Sequence, residues 1–187
     1  MKYVLAALAA SFGVANAGVI DFETAPSSFT SLTQDGATLT AENGITIAVV
    51  DFGPNGTQSA LQNEPRAAYR LTFASLVSGT VSVDMGDLGQ DEDVMNLELY
   101  SATDVLIDFD MQTLGAGVEA MLTLTATGMD IAYARIFSTG DFPDTYFLDN
   151  ISFPDARATV PVPAAAPLFA AALAGAGALR RKAKKSA

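Results

Sequence analysis

The 187-residue chain contains no cysteine, no histidine and no tryptophan. Without cysteine there is no disulfide, no thiol nucleophile and no thiolate metal ligand. Without histidine as well, the usual zinc sites and every hydrolase that needs an imidazole base are excluded. The redox compartment stays open, because an exported protein can lack disulfides. Lysine is missing between Lys2 and Lys182. From Gly18 to Phe153, twenty acidic residues stand against three basic ones, Arg66, Arg70 and Arg135, a balance of −17 beside the −11 of the whole chain. Such a body is repelled by phosphates and anionic lipid, so no nucleic-acid partner is expected. It attracts cations, calcium above all, and the same charge also serves solubility at high ionic strength. There is no G-x-S-x-G elbow and no phosphate loop, and nothing singles out one carboxylate pair for glycoside hydrolysis. The chain reads as a non-enzyme.

What is present is organised in three parts. The start, MKYVLAALAASFGVANA, has a charged Lys2, a short apolar run Val4–Val14 and an A-x-A site at Ala15 and Ala17. That is the pattern of a signal peptide over residues 1–17, too short in its apolar part to span a bilayer. At the other end, residues 154–160 form a linker and 161–187 a tail. The apolar stretch Ala164–Leu179 holds nine alanines and two glycines in 16 residues, a marginal membrane span. Arg180, Arg181, Lys182, Lys184 and Lys185 follow it and keep that end cytoplasmic, with the body outside. Pro161, Pro163 and Pro167 hold the approach extended and accessible. A lasting single-pass anchor fits the same topology, whereas a GPI signal would end in its apolar tail without basic residues.

The order of Pro motif, short apolar span and basic cluster resembles the C-terminal sorting signals of exosortase substrates, the PEP-CTERM class. Val160, Pro161, Val162, Pro163 and Ala164 are similar to its VPLPA variant, with Val162 where the variant has Leu. The resemblance covers about 28 residues. It implies transient inner-membrane anchoring, cleavage near the motif by an exosortase-type enzyme, and release to the cell surface or an extracellular polysaccharide matrix.

The body, residues 18–153, alternates apolar and polar residues in short runs such as Tyr69/Leu71/Phe73, Val81/Val83/Met85 and Val105/Ile107/Phe109/Met111. Glycine-bearing punctuation such as VSGT, LGAG, ATGMD and STGDFPD falls between runs. About nine to eleven strands fit, with no sustained helical period. An all-β, antiparallel two-sheet β-sandwich of jelly-roll type is therefore expected. The stretch TAPSSFTSLTQDGATLT reads as weakly low-complexity. Four body tyrosines, Tyr69, Tyr100, Tyr133 and Tyr146, fall mostly within strands, where core packing is expected.

Two acidic sets invite chemistry. In TYFLDNISF, Asp149 alternates with Phe147, Ile151 and Phe153, so a carboxylate lies on an apolar stripe and needs a cation or donors. Asp21 and Glu23, in VIDFE, share a face of the first strand, which in a jelly roll runs close to the last. Calcium takes oxygen ligands of this kind. Backbone N–H groups at a strand end would satisfy Asp149 equally. The second set is Asp87, Asp91 and Asp93, with Asp84 and Glu92 nearby, in a glycine-containing loop that reads either as a second calcium site or as a solvated acidic hairpin. The body also resembles the jelly rolls of PEP-CTERM proteins and, more distantly, carbohydrate-binding jelly rolls with a structural calcium, which implies Glu23 and Asp149 as ligands. The expected role is structural or adhesive within a surface or matrix. The alternative is a carbohydrate-binding module of the same fold.

Overall fold

The computed structural model describes residues 17–51, 57–62, 67–87, 91–140 and 146–156, with the side chains of 62 and 140 left undescribed. Most of the stretch read as a signal peptide, including Ala15, the motif at 160–164, the apolar span and the basic tail lie outside the described residues. Among the described residues there are eleven strands and no helix. No helix long and apolar enough to cross a membrane occurs there.

The strands are β1 (Gly18–Ile20), β2 (Ser28–Phe29), β3 (Ser31–Gln34), β4 (Ala37–Ala41), β5 (Ile47–Asp51), β6 (Gln58–Gln62), β7 (Tyr69–Gly86), β8 (Asp93–Tyr100), β9 (Leu106–Leu114), β10 (Met121–Gly140) and β11 (Phe147–Phe153). Every pairing is antiparallel, as the alternating pattern predicts. Hydrogen bonding runs through all eleven strands because β7 and β10, of 18 and 20 residues, belong to two limbs at once. In the first limb, Tyr69–Phe73 of β7 lies between β4 and the second half of β10, followed by β8 and β9. In the second, Ser82–Gly86 lies between the first half of β10 and β11, which leads on to β6, β5 and β2, with β1 on β11.

The bend between limbs corrects the reading of VSGT and ATGMD as turns. Gly79 and Gly128 are directly opposite each other in the β7/β10 ladder, and the register shifts just beyond them, around Ile131. Gly79 has φ +136°, which only glycine adopts without strain. A Cβ on Gly128 would meet Ile107 Cγ2 at 2.6 Å. Glycine here lets two paired strands bend together instead of ending them.

The limbs share one core. Met95, Leu97 and Leu99 of β8 cluster with Val81, Val83, Met85, Leu148 and Ile151 of the other limb. TAPSSFTSLTQDGATLT is ordered structure: it supplies β2, β3 and β4, and Asp35-Gly36, at φ 49° and 83°, closes the β3/β4 hairpin. Two positive φ values in an Asp-Gly pair give the turn whose twist suits a two-residue hairpin.

Candidate functional site

The outer face of the first limb is built by strict alternation. In β8, Met95, Leu97 and Leu99 point inward, so Val94, Asn96, Glu98 and Tyr100 point outward and are half-buried. Direct cross-strand partners share a face. Tyr100 therefore meets Tyr133, Glu98 meets Arg135 and Asn96 meets Phe137 on β10, while Glu98 meets Phe109 and Asn96 meets Met111 on β9. Arg70 of β7 stands opposite Arg135, with Thr40 of β4 on its other side.

These residues form a stacked column. The rings of Tyr100 and Tyr133 lie 5.0 Å apart at 8°, and the Arg70 guanidinium covers Tyr133 at 3.5 Å from its centroid. Arg135 lies 5.2 Å above the Phe137 ring and donates two hydrogen bonds to Glu42, at 2.8 and 3.0 Å, with Glu98 at 3.5 Å. The Tyr100 hydroxyl donates to Glu98 at 2.6 Å, and that of Tyr133 donates to Asp104 at 2.8 Å. The carboxylate contact with Glu98, then burial, raises the Tyr100 pKa; burial first, then Asp104, raises that of Tyr133. Both phenols stay protonated as donors, which suits binding and not proton abstraction. Hydrogen bonding to Glu42 raises the Arg135 pKa further, so its charge is permanent.

This face corrects in part the expectation that the tyrosines pack the core. Tyr69 and Tyr146 do, edge to face at 5.5 Å, and Tyr133 is buried too, at 6% exposure, but on the outer face against Arg70 and the half-buried Tyr100. On β9, Phe109 and Met111 are also outward, 59% and 57% exposed, while Ile107 of the same stripe packs against the core. The alternate residues Asp108 and Asp110 instead accept hydrogen bonds from the backbone N–H of Thr127 and Thr125, both at 2.8 Å, and Gln112 donates to the Thr123 carbonyl at 2.9 Å. Side chains thus bridge the edges of β9 and the first half of β10. The sequence signal was the D-x-D-x-Q spacing, which puts three polar groups on one side of a strand.

The strand-end acids come together only in part. β1 does pair with β11, Ile20 opposite Ile151. Asp149 is buried at 1% exposure, as its neighbours in sequence imply, yet it does not share a face with Ile151. A bulge at Asn150, with φ 44°, reverses the alternation: Leu148 and Ile151 enter the core, while Asp149 lies opposite Asp84. Asp149 accepts from the Thr57 hydroxyl and, at 2.8 Å, from Asn150 N–H. Glu23 accepts from Gln58 N–H at 3.0 Å, and Asp21 from Glu23 N–H at 3.3 Å. Asp21, Glu23 and Asp149 do not bring their carboxylate oxygens together as a set of three.

Asp87, Asp91 and Asp93 do. Their nearest carboxylate oxygens all lie within 4.8 Å of one another, the one such group among the described residues. Asp87 and Asp93 are buried, at 5% and 2% exposure. Burial, then repulsion from Asp87 and Asp91, pushes Asp93 up to about 6, although Ser138 donates to it at 2.9 Å. Three crowded oxygen donors whose charge the protein itself opposes fit a hard cation such as calcium, with these three residues as its holders.

No protein-family model matches the chain, and no curated protein matches it in sequence. Among solved structures, it is similar to a xylan-binding domain of carbohydrate-binding family 22, at 15% identity over 65% of this chain and 89% of that one, TM-score 0.47. A carbohydrate-binding module of family 29 gives 14% identity over 76% and 90%, TM-score 0.44. An arabinose-bound α-L-arabinofuranosidase gives 8% identity over 75% of this chain, TM-score 0.49, and this chain spans 27% of that enzyme. Identities this low give no residue-by-residue correspondence.

Proposed function

We propose that the body is a glycan-binding jelly-roll module of an exported protein, and that it binds saccharide on the outer face of the first limb. The observation that carries this reading is the face itself. Aromatic rings at Tyr100, Phe109 and Phe137 sit among fixed hydrogen-bonding groups at Asn96, Glu98 and Arg135 on a rigid sheet. Sugar rings present apolar C–H faces and hydroxyl edges, and such a mixture satisfies both. No enzymatic role is proposed: the phenols are held as donors, and Glu42 and Glu98 share the Arg135 guanidinium. The signal peptide and the VPVPA tail, read as an exosortase-type sorting signal, would carry the module through the inner membrane to the cell surface or matrix. Glycan binding would then give it the structural or adhesive role expected there. Calcium at Asp87, Asp91 and Asp93 would fix the loop before β8, the strand that supplies Glu98 and Tyr100.

A glycan array probed with the full chain tests the reading. Saturable binding to one glycan class, lost in the Tyr100→Ala/Phe109→Ala double variant at unchanged Tm, is expected. Absence of binding across the array overturns the glycan reading and leaves a purely structural matrix role.

A further inference from the structure

Arg70 is anomalous in a body this acidic. Among the described residues no carboxylate lies within 4.0 Å of its guanidinium, and its one specific contact is the Tyr133 ring. It also stands directly opposite Arg135, a like-charge pair that destabilises a sheet unless something intervenes. Glu42 and Glu98 neutralise Arg135. Nothing described does the same for Arg70. Stacking on Tyr133 fixes the plane of the guanidinium and leaves its five N–H donors at the edges, the geometry that accepts a carboxylate two-pronged.

We infer that Arg70 is the specificity-determining residue of the face, and that it seats a carboxylate carried by the glycan. This rests on the glycan-binding reading and narrows its substrate class. The surroundings limit how much acid the ligand carries. Glu42, Glu98 and Asp104 all lie on or beside the column, and the body as a whole stands at −17. Screening over about 8 Å at physiological ionic strength removes distant charges but not these. One carboxylate on Arg70 is matched, whereas every further one meets acid. Beside Arg70, Thr40 and Thr72 offer hydroxyls on β4 and β7 and no cation. The ligand is thus a mainly neutral glycan bearing isolated uronate substituents, and neither a fully neutral chain nor a polyuronate.

The test uses the full chain, in calcium and again in EDTA, with three probes: xylohexaose, xylohexaose bearing one glucuronate branch, and hexagalacturonate, alongside an array of neutral and acidic glycans. The singly acidic probe is expected to bind at least tenfold more tightly than either other. Arg70→Gln should erase that preference while leaving neutral binding in place. Arg70→Lys keeps the charge and the stem over Tyr133 but loses the fork, and should retain only part of it; this variant decides the matter should Arg70→Gln fail to fold. Equal binding of neutral and singly acidic probes, or a preference that survives both substitutions, overturns the role of Arg70 and leaves the glycan reading intact. No binding to any array member overturns the reading itself.

Discussion

Two groups of three carboxylates, drawn from one acidic chain, meet opposite fates. Asp21, Glu23 and Asp149 each face a donor that the protein supplies: the Glu23 N–H, the Gln58 N–H, and the Thr57 hydroxyl with the Asn150 N–H. Asp87, Asp91 and Asp93 bring carboxylate oxygens within 4.8 Å of one another, and the Ser138 hydroxyl donates to Asp93. Burial alone does not separate the groups, since Asp149 and Asp93 are both almost fully enclosed. What separates them is how closely the acids stand to one another. The bulge at Asn150 aims an N–H at Asp149, whereas Asp93 has Asp87 and Asp91 against it. A carboxylate answered by donors belongs to the fold; for carboxylates crowded together we propose a cation.

The sharpest test of that contrast removes one member from each group. Asp149→Ala removes a buried carboxylate from the part-buried Thr57 hydroxyl and Asn150 N–H, a loss of about 2 kcal/mol in chemical denaturation. That loss should be the same in calcium and in chelator. Asp93→Asn should do the reverse: it relieves repulsion and raises Tm in chelator, and it abolishes any gain from calcium. A calcium response that disappears in Asp149→Ala and persists in Asp93→Asn would exchange the roles of the two groups.

Calcium and pH probe the same contrast in the unaltered protein. At a calcium concentration a hundredfold above its Kd, about 2.7 kcal/mol of added stability is expected, a rise in Tm of several degrees. In chelator, Asp93 holds its proton more tightly when folded, at about 6 against 3.8. The folded state therefore binds extra proton between these values, and stability falls as pH rises from about 4 to 6, by an amount on the order of 3 kcal/mol. Calcium should flatten that fall, because the ion takes the place of the proton. A stability curve that rises with pH across this window, without calcium, would contradict the crowding of the three acids.

The sequence made much of this fold legible and concealed the rest for physical reasons. Period-two alternation located most strands, since one buried face imposes it whatever the neighbours are. The continuity of β7 and β10 was hidden because glycine serves both turns and bends; only the pairing of Gly79 with Gly128 distinguishes them. Asp-Gly at 35–36 was a hairpin signal obscured by its threonine-rich setting. Alternation also says that two faces exist without saying which is inside, so nothing in the pattern marks Phe109 and Met111 as the outward residues they are. Asp149 was correctly singled out as buried, but a bulge changes face without leaving a mark in the residue pattern. The stacked column of Arg70, Tyr133 and Tyr100 joins three strands distant in sequence, and no local window contains it.

Asp108 and Asp110 offer the smallest and most discriminating extension of the comparison. They too are carboxylates answered by backbone N–H groups, but on a half-exposed strand edge instead of an enclosed strand end. Water can replace them there, so Asp110→Ala should cost only about 1 kcal/mol, with no dependence on calcium. Their second effect concerns the edge itself. With the acids gone, unpaired N–H groups of Thr125 and Thr127 lie beside the exposed Phe109 and Met111, an uncharged apolar edge of the kind that pairs with other chains. The Asp108→Ala/Asp110→Ala double variant is therefore expected to self-associate at concentrations where the parent stays monomeric, measured by sedimentation velocity. Should it remain monomeric while losing more than about 3 kcal/mol, the two acids would be holding the limbs together in the manner of Asp149, and exposure would not be what weakens a donor-satisfied carboxylate.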